Sequence, residues 1–494
     1  MSTPAPKFTT THWLIILIAS IGFLFDTYEL LMTPLVAAPA IAELLKVLPS
    51  DPSVTEWVGK LLWIAAVCGG VFGLLGGWLV DKFGRKTIMA ASIFVYSFSP
   101  FCAAFATSLP MFIFFRCTTF IGVCVEFVAA ITWLAEVFTD KHQKEKWLGI
   151  TQACASLGGV LVTVVSVWIS KNLDTLPHWG LPAGSTGIGA WRYTLMSGIL
   201  PAIPIALMLP FVPESKVWKD KKIAGTLKRP SFAALFSSEL RRVTIVTTIL
   251  SACAYGIAFG ALQVTVARVT PGLPELKAEG AAMAALKKTD MEISAKLKAP
   301  GLDDAAKAAR KADMKANFDK QKPVNSKIKA MSDKLQFHQE MGGLAGRVLL
   351  ACLLIWGISR VKLLKVFQIP ALVILPVTYF VLFKDGGDAF MWGYAVCGLV
   401  TVAQFSYFGE YLPKVFPMHL RGTGGSFATN VGGRMVGTCM ATLNTSWLAP
   451  MLAGGALAVK PMHVAMAAGY IATAMAVLAF VVGFFLPEPK SEEV

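Results

Sequence analysis

The sequence predicts an all-α membrane protein with twelve transmembrane helices in two pseudo-symmetric six-helix bundles. Three observations lead to this prediction. Hydrophobic residues make up 55% of the 494 residues and charged residues only 15%, which is too apolar for a soluble protein of this length. Twelve apolar windows are each about as long as the roughly 20 residues with which a helix crosses a bilayer. The chain also contains an internal repeat.

The apolar windows lie near residues 12–35, 57–80, 87–106, 111–138, 147–170, 191–213, 243–266, 342–359, 363–383, 389–412, 424–448 and 463–486. Basic residues are concentrated in alternate short loops, such as the loop with Lys82, Arg85 and Lys86, whereas the loop at 106–110 carries little charge. Short cytoplasmic loops are enriched in Lys and Arg. We therefore expect a multi-pass protein of the cell (inner) membrane with both termini cytoplasmic.

The internal repeat divides the chain into residues 1–214 and 243–494, joined by a cytoplasmic linker at 215–242. The stretch Trp133–Phe138 (WLAEVF) has a counterpart in Tyr411–Phe416 (YLPKVF), and the pattern G-G-x-x-G occurs at 69–73 and at 342–346. Two related halves with a site at their interface near the bilayer midplane are typical of secondary transporters.

Residues 270–340 are a predicted extracytoplasmic insertion between the seventh and eighth spans. They are rich in Ala and Lys, a composition that favours helix. Breaks are predicted at Pro300-Gly301 and at Pro323, and Ser326 is predicted to cap a helix that continues into the eighth span. Three interpretations stay open: a mobile helical appendage, a cap over the outer mouth, and a docking arm for a partner protein.

Several classes of function find no support in the sequence. The net charge of +15 comes largely from the short basic loops, so it indicates topology and predicts no nucleic-acid partner. All nine cysteines lie in apolar windows without metal-ligand spacing. No nucleophile motif or phosphate-binding glycine loop is present. We therefore predict no enzyme activity, no cofactor and no bound metal, and expect the partners to be the lipid bilayer, a small-molecule substrate and a proton.

A polar loop joins the second and third spans and reads Gly77-Trp-Leu-Val-Asp81-Lys82-Phe-Gly84-Arg85-Lys86. It resembles the signature loop of the major facilitator superfamily of transporters, G-x-x-x-D-(K/R)-x-G-R-K. A glycine such as Gly77 permits close helix packing, and Asp81 suits a helix N-terminus. With Glu136 at the end of the fourth span, the loop forms the predicted cytoplasmic gate, whose residues are Gly77, Asp81, Lys82, Gly84, Arg85, Lys86 and Glu136.

Three further stretches resemble the proton-coupled organic-acid and metabolite symporters and the sugar porters of this superfamily. They are Arg116-x5-Gly122-x3-Glu126 in the fourth span, Trp191-Arg192 and Pro213-Glu214-Ser215 around the sixth, and Tyr411–Arg434. The sequence departs from the family pattern in the second half, where Lys414 replaces an acidic residue and the loop copy ending at Arg360 lacks its acid. The resemblance implies the major facilitator fold and a coupling carboxylate in the first span opposite the arginine of the fourth.

Charged residues within the spans are the candidate coupling residues, because charge in hydrocarbon is costly and usually functional. At about 1.5 Å per residue, Asp26 and Arg116 lie at similar depths, and we expect them to pair until Asp26 takes up a proton. Glu29, one turn from Asp26, is either the proton site itself or a residue at the outer boundary. Glu126 is either a second proton-relay residue or part of the inner gate.

Arg434 lies near the middle of the eleventh span, and its guanidinium matches a carboxylate in bidentate fashion. The predicted substrate is therefore a small organic anion, although Arg434 pairing with Glu126, Glu410 or a main-chain carbonyl is also open. The predicted substrate-binding residues are Arg434, Asn430, Gln404, Tyr407, Tyr255, Gln263 and Tyr28. Arg347 is expected to extend to the membrane interface.

The leading interpretation is proton-coupled symport of a carboxylate by alternating access. A neutral sugar or polyol is the alternative substrate, since the span-four and Pro-Glu-Ser patterns are shared with sugar porters. From another class, the chain is a membrane sensor or scaffold that does not transport and that acts through its outer insertion.

Overall fold

The computed structural model describes residues 9–47, 51–138, 141–183, 188–297, 304–356, 358–455 and 459–489. Within these ranges all of the regular secondary structure is helical. The first half contains α1 (Thr10–Leu45), α2 (Pro52–Phe83), α3 (Arg85–Ala104), α4 (Leu109–Val137), α5 (Lys141–Ala153), α6 (Ala155–Lys171), α7 (Ala190–Met196), α8 (Ala202–Met208) and α9 (Lys216–Ile223).

The second half contains α10 (Arg241–Ile257), α11 (Lys277–Leu297), α12 (Asp304–Ile355), α13 (Arg360–Val377), α14 (Phe383–Asp385), α15 (Gly387–Val415), α16 (Arg421–Ser426), α17 (Met440–Thr442), α18 (Ala449–Ala453) and α19 (Pro461–Val482). Wider π-helical turns extend α10 (Ala258–Gln263, Thr265–Val269) and α13 (Thr378–Leu382), and join α16, α17 and α18 (Phe427–Gly437, Leu443–Leu448). Such turns are rare and are frequently found at functional sites.

Ten helical stretches in the described residues are long and apolar enough to cross a membrane. They are Thr10–Leu45, Glu56–Phe83, Arg85–Ala104, Leu109–Val137, Trp147–Lys171, Ala190–Phe211, Arg241–Gly272, Arg360–Asp385, Gly387–Val415 and Pro461–Phe485. The two other predicted spans lie in α12 and in the run from α16 to α18. Both are more polar than the rest, because α12 carries Glu340 and Arg347 and the second run is rich in Gly and Thr.

Each half of the chain has its own hydrophobic packing. Two core clusters consist of residues between 14 and 212, and two others of residues between 234 and 486. Many large apolar side chains remain exposed on the outside, such as Phe114 at 61% and Leu207 at 69%. In a bilayer these side chains contact lipid, so an apolar exterior is expected of a helix bundle that crosses a membrane.

The insertion between the seventh and eighth spans is a helical hairpin of α11 and the first part of α12. α12 is one helix of 52 residues, about 78 Å long at 1.5 Å per residue. The buried carboxylate of Asp290 accepts hydrogen bonds of 2.6 Å from the side-chain amides of Asn317 and Gln321. Leu276, Met283 and Ile328 form a small core where the hairpin meets the membrane bundle.

The predicted helix break at Pro323 and the predicted cap at Ser326 are wrong. α12 runs through Pro323, and the Ser326 hydroxyl donates to the Pro323 carbonyl oxygen at 2.8 Å. Proline removes one helical hydrogen bond, but packing against α11 on either side of Pro323 keeps the helix continuous. The other predicted break, Pro300-Gly301, lies outside the described residues.

Candidate functional site

A buried ion pair joins the two bundles at the centre of the molecule. Nη2 of Arg434 lies 3.3 Å and 3.5 Å from the two carboxylate oxygens of Asp26 in α1. The side chains are 2% and 8% exposed. The predicted pairing of Asp26 with Arg116 is therefore wrong: the depth estimate compared helices of the first bundle only, and the nearest guanidinium comes from the second.

Arg434 is held in place by the first bundle as well. Its Nη1 donates to the Val123 carbonyl oxygen of α4 at 3.0 Å and to Asn430 Oδ1 at 3.3 Å. Asn430 in turn donates to the Cys124 carbonyl oxygen at 3.1 Å. The guanidinium lies 5.6 Å from the ring centre of Phe127. Nε of Arg434 has no hydrogen bond in the described structure, so the guanidinium keeps one unused donor.

Glu126 completes the central charge cluster. It is fully buried, and its charged neighbours are Asp26 and Arg434. Neither carboxylate oxygen accepts a hydrogen bond from a described residue. Gly22 of α1 leaves the space that Glu126 occupies, because a Cβ at that position would collide with the carboxylate. Asp26 is thus paired with the Arg434 guanidinium, and Glu126 lies within its electrostatic reach at the interface of the bundles.

Arg116 pairs with Glu29 and not with Asp26. Its Nη1 lies 3.6 Å from Glu29 Oε2, and its Nη2 donates to the Glu29 carbonyl oxygen and to Thr33 Oγ1 at 3.3 Å and 2.5 Å. All of these groups belong to α1 and α4 in the same bundle. The depth estimate was thus wrong by one helical turn, the distance from Asp26 to Glu29.

The structure brings only some of the predicted binding residues to the centre. Tyr255 lies beside Arg434. Its ring also packs closely on Gly433, because a Cβ added to Gly433 would lie only 2.7 Å from the ring edge. Gln404 donates to the Val400 carbonyl oxygen of its own helix, and Tyr407 is buried against Tyr411 in the core of the second bundle.

The remaining two predicted binding residues also have partners within their own bundles. The Tyr28 hydroxyl lies 2.5 Å from Ser197 Oγ in the first bundle. The Gln263 amide is 3.5 Å from Gln336 Oε1 in the second. Gln404, Tyr407, Gln263 and Tyr28 therefore each have a local partner in this conformation, and their part in substrate binding stays a prediction.

A second polar cluster on α12 was missed. The carboxylate of Glu340 accepts from Gln336 Nε2 at 2.8 Å, and Arg347, seven residues on, donates to the Gln152 carbonyl oxygen of the first bundle. Arg347 therefore lies between the bundles and not at the lipid interface. Spacing of seven residues puts two side chains on one helix face, which is the sequence signal that identifies this pair.

The signature loop fastens the two bundles at the opposite end from the hairpin. Asp81 is 1% exposed, and its carboxylate accepts from the main-chain N–H groups of Gly422 and Thr423 at 2.9 Å and 2.7 Å and from Thr423 Oγ1 at 2.7 Å. These amides are in the first turn of α16, so Asp81 lies at a helix N-terminus, as predicted. Gly77 is needed because a Cβ there would collide with Gly422.

Arg85 lies at the centre of the same connection between the bundles. We call this connection, made by Asp81 and Arg85 with the second bundle, the latch. It makes a bidentate bond with Glu136 at 3.0 Å and 2.9 Å and donates to the Met418 carbonyl oxygen across the bundle interface at 2.9 Å. Glu214 accepts from the main-chain N–H groups of Arg85 and Lys86 at 2.9 Å and 3.0 Å. Gly84 has φ of 113°, a conformation that favours glycine.

The second half repeats this arrangement with one change. Glu488 accepts from the main-chain N–H of Arg360 at 3.1 Å, just as Glu214 does from Arg85. Arg360 Nε lies 3.1 Å from Glu410, and Glu410 also pairs with Lys414. The acid that Lys414 replaces in the sequence pattern is thus supplied one helical turn earlier, by Glu410.

Two helix bundles with buried, opposite charges facing each other at their interface are the arrangement of a secondary transporter. The sequence profile of the Major Facilitator Superfamily matches residues 8–286, and the chain belongs to this family of transporters. A solved structure of the proton:xylose symporter XylE superposes with a TM-score of 0.67 over 97% of both chains at 16% identity. The predicted twelve-helix, two-bundle fold is thereby confirmed.

Two curated relatives match part of the chain. The niacin transporter NiaP of Acinetobacter baylyi is 26% identical over 212 residues, which are 43% of this chain and 42% of that protein. The arabinose-proton symporter of Escherichia coli is 27% identical over 167 residues, 34% of this chain and 31% of that protein. Each of these two matches therefore covers less than half the length of the relative.

Proposed function

We propose that this protein carries a small organic anion, a carboxylate metabolite, together with a proton by alternating access. The observation that carries the proposal is the ion pair between Asp26 and Arg434 across the bundle interface. In this arrangement the carboxylate of Asp26 is bound to the guanidinium of Arg434, which is the group that a substrate carboxylate would need. Proton and substrate then bind together, because each favours the state that the other requires.

The coupling works by replacement of one carboxylate by another. When Asp26 takes up a proton it loses most of its attraction for Arg434, and the guanidinium fork becomes available to a substrate carboxylate in bidentate geometry. When Asp26 is ionised it pairs with Arg434 again and the anion leaves. A charge buried without a partner costs several kcal/mol, so neither the unpaired Arg434 nor the unpaired Asp26 persists between these two states.

Glu126 supports a proton path to Asp26. It is buried beside the ion pair without a hydrogen-bond donor, and an ionised carboxylate in such a place is costly. We assign it the role of holding the proton that Asp26 receives. Glu29, paired with Arg116, is the alternative proton site within the first bundle.

The similarity to the niacin transporter supports a carboxylate substrate, because niacin is an aromatic carboxylic acid. The similarity to the arabinose-proton symporter favours a second candidate, a neutral sugar. Asp26 already neutralises Arg434, and a neutral solute has no need to displace it.

The basic loops further support a cytoplasmic position for the Asp81–Arg85 latch.

A substrate panel tests the proposal. The purified protein is reconstituted in liposomes, and uptake of a labelled monocarboxylate, dicarboxylate, aromatic acid, sugar and amino acid is measured in turn, each in competition with the other classes. We expect a carboxylate to compete, and Arg434→Ala to abolish its uptake. Competition by sugars alone, with affinity unchanged in Arg434→Ala, would favour the sugar. No uptake of any solute would favour a sensor or scaffold.

A further inference from the structure

A basic pocket lies beside the signature loop, between the end of α2 and the linker that follows α9. Its cavity volume is about 480 Å³. It is lined by Trp78, Asp81, Lys82, Leu227, Lys228, Arg229 and Pro230. Asp81 also belongs to the latch, whereas the other six lining residues take part in none of the contacts described for the central site or the latch.

The pocket is a built structure, because two indole groups tie the linker to α2 on either side of it. Trp78 Nε1 donates to the Pro230 carbonyl oxygen at 3.1 Å. Trp218 Nε1 donates to the Asp81 carbonyl oxygen at 2.9 Å. The linker therefore follows a defined path around the end of α2, and the residues between these two bonds form the wall of the cavity.

Three cations converge on this cavity without an acidic partner in the described structure. The side chains of Lys82, Lys228 and Arg229 are exposed, and none of them forms an ion pair with a described carboxylate. The Nζ of Lys82 lies 4.3 Å from the ring centre of Trp78, which holds the ammonium at the pocket wall. Burial, followed by the charges of Lys228 and Lys221, lowers the pKa of nearby His419, so the surrounding surface is positive as well.

Asp81 does not neutralise the pocket. Its carboxylate is buried, and its two oxygens accept three hydrogen bonds from Gly422 and Thr423 on the other bundle. Lys82, Lys228 and Arg229 are thus unbalanced like charges held close together. Such a group is stabilised by an anion with several oxygen acceptors, of which phosphate is the common biological example.

The position of the pocket identifies the source of the phosphate. Trp78 and Lys82 belong to the last turns of the membrane span Glu56–Phe83, and the neighbouring Phe83 is 48% exposed. Trp side chains and basic residues at the end of a span lie at the level of the lipid headgroups. Basic pockets at this level on the cytoplasmic side accept anionic headgroups.

We propose that this pocket binds the phosphate group of an anionic phospholipid, with Lys82, Lys228 and Arg229 as its cationic contacts and the Trp78 indole as its wall. The bound headgroup neutralises the three cations and so holds the linker against α2. The linker is hydrogen-bonded to the main chain of Asp81, and the side chain of Asp81 is hydrogen-bonded to the second bundle. By holding the linker in place, the lipid therefore stabilises the part of the latch that belongs to the first bundle.

The test measures lipid retention by the purified full-length protein, and it needs no transport substrate. Protein is exposed to mixed micelles of phosphatidylglycerol and phosphatidylcholine, and bound lipid is counted by native mass spectrometry, with the melting temperature as a second readout. The pocket variant K82Q/K228Q/R229Q is compared with K219Q/K362Q/K322Q, which removes the same charge at exposed positions outside the pocket. Trp78→Phe keeps an aromatic ring at the pocket wall and removes the bond to Pro230.

We expect the wild type and the control variant to retain phosphatidylglycerol in preference to phosphatidylcholine. The pocket variant should lose about five-fold in affinity for each cation removed, since one cation near an anionic lipid surface contributes about 1 kcal/mol. Trp78→Phe should retain less lipid than the wild type, because the linker is released on one side.

Two results would overturn the proposal. Equal loss of retention in the pocket variant and the control variant would show that total surface charge, and no particular pocket, binds the lipid. Stabilisation by inorganic phosphate equal to that by phosphatidylglycerol, and lost in the pocket variant, would keep the phosphate site but overturn its assignment to a lipid. Because neither result depends on transport, the proposed symport stands or falls separately.

Discussion

At the scale of single residues, the proposed coupling depends on one guanidinium that binds alternative carboxylates. Arg434 is fixed by the Val123 carbonyl oxygen and by Asn430, so its charge stays in place when Asp26 is neutralised. Arg192 offers a contrast, since it is also buried but binds Glu43 and the carbonyl oxygens of Ala104 and Ala106 within one bundle. The first arrangement suits exchange of partners and the second suits a fixed structure.

These two arginines should respond differently to the same substitution. Arg434→Lys keeps the charge but loses the bidentate fork, which is worth about 1.5–3 kcal/mol, so KM for the anion should rise about 10–150-fold. Arg192→Lys should lower the melting temperature and leave KM unchanged. Uptake kinetics and thermal unfolding of both variants measure this, and equal effects on KM would contradict the assigned role of Arg434.

The charged residues of the site could be found in the sequence, but their pairing could not. Asp26, Arg116, Glu126 and Arg434 stand out because each interrupts an apolar run. Which of them meet depends on how two bundles pack, and no pattern within one helix contains that information. Glu340 was overlooked for a different reason, because it lies at the polar edge of the insertion and does not interrupt an apolar run.

At the scale of elements, α12 is the feature that the sequence described least well. Pro323 suggested two helices, whereas the structure has one continuous helix from the hairpin into the membrane. A proline penalty is a local quantity, and the packing of α11 along α12 outweighs it. The spans themselves were easier to predict, because about 20 consecutive apolar residues have few structural alternatives.

Asp290 is expected to hold the hairpin together. Asp290→Ala leaves the buried amides of Asn317 and Gln321 without their acceptor, at about 1–3 kcal/mol for an unsatisfied buried group. Hydrogen exchange in α11 and in residues 304–321 should therefore increase. Asp319→Ala is the control, because its pair with Lys322 is half exposed and such pairs contribute about 0–1 kcal/mol. Equal exchange in the two variants would contradict this role.

The outer part of the hairpin should be dispensable for transport. Its described contacts, such as those of Asn317 with Asp290 and Leu286, lie within the hairpin. We expect deletion of residues 287–316, with Leu286 joined to Asn317 through a short glycine linker, to leave uptake unchanged in liposomes. A correctly folded deletion variant without uptake would instead indicate a cap over the mouth, and unchanged uptake with loss of function in cells would indicate a docking arm.

At the scale of the whole molecule, this conformation has the bundles fastened at the latch. The halves are connected there by the bond that Asp81 accepts from the second bundle and by the bond from Arg85 to Met418. The corresponding group in the second half, Arg360 with Glu410, lies within one bundle. The repeat in the sequence therefore predicts two similar charge groups, but it does not reveal that the first of them bonds across the interface, whereas the ion pairs described for the second lie within one bundle.

Removing the latch should expose the interface between the bundles on that side. Ser426 is fully buried there and donates to the Gly73 carbonyl oxygen at 2.5 Å. Labelling of Ser426→Cys by a membrane-impermeant thiol reagent should increase when combined with Asp81→Ala, and should not change when combined with Glu410→Gln. An equal increase in both double variants would show that the two charge groups act alike.

The most direct test of the central claim is uptake of the substrate into liposomes under an imposed proton gradient. Wild-type uptake should rise when the outside is acidic, because protonation of Asp26 frees Arg434 for the anion. Asp26→Asn should lose this dependence and still exchange internal for external substrate. Uptake by Asp26→Asn that follows the proton gradient as in the wild type would contradict the account.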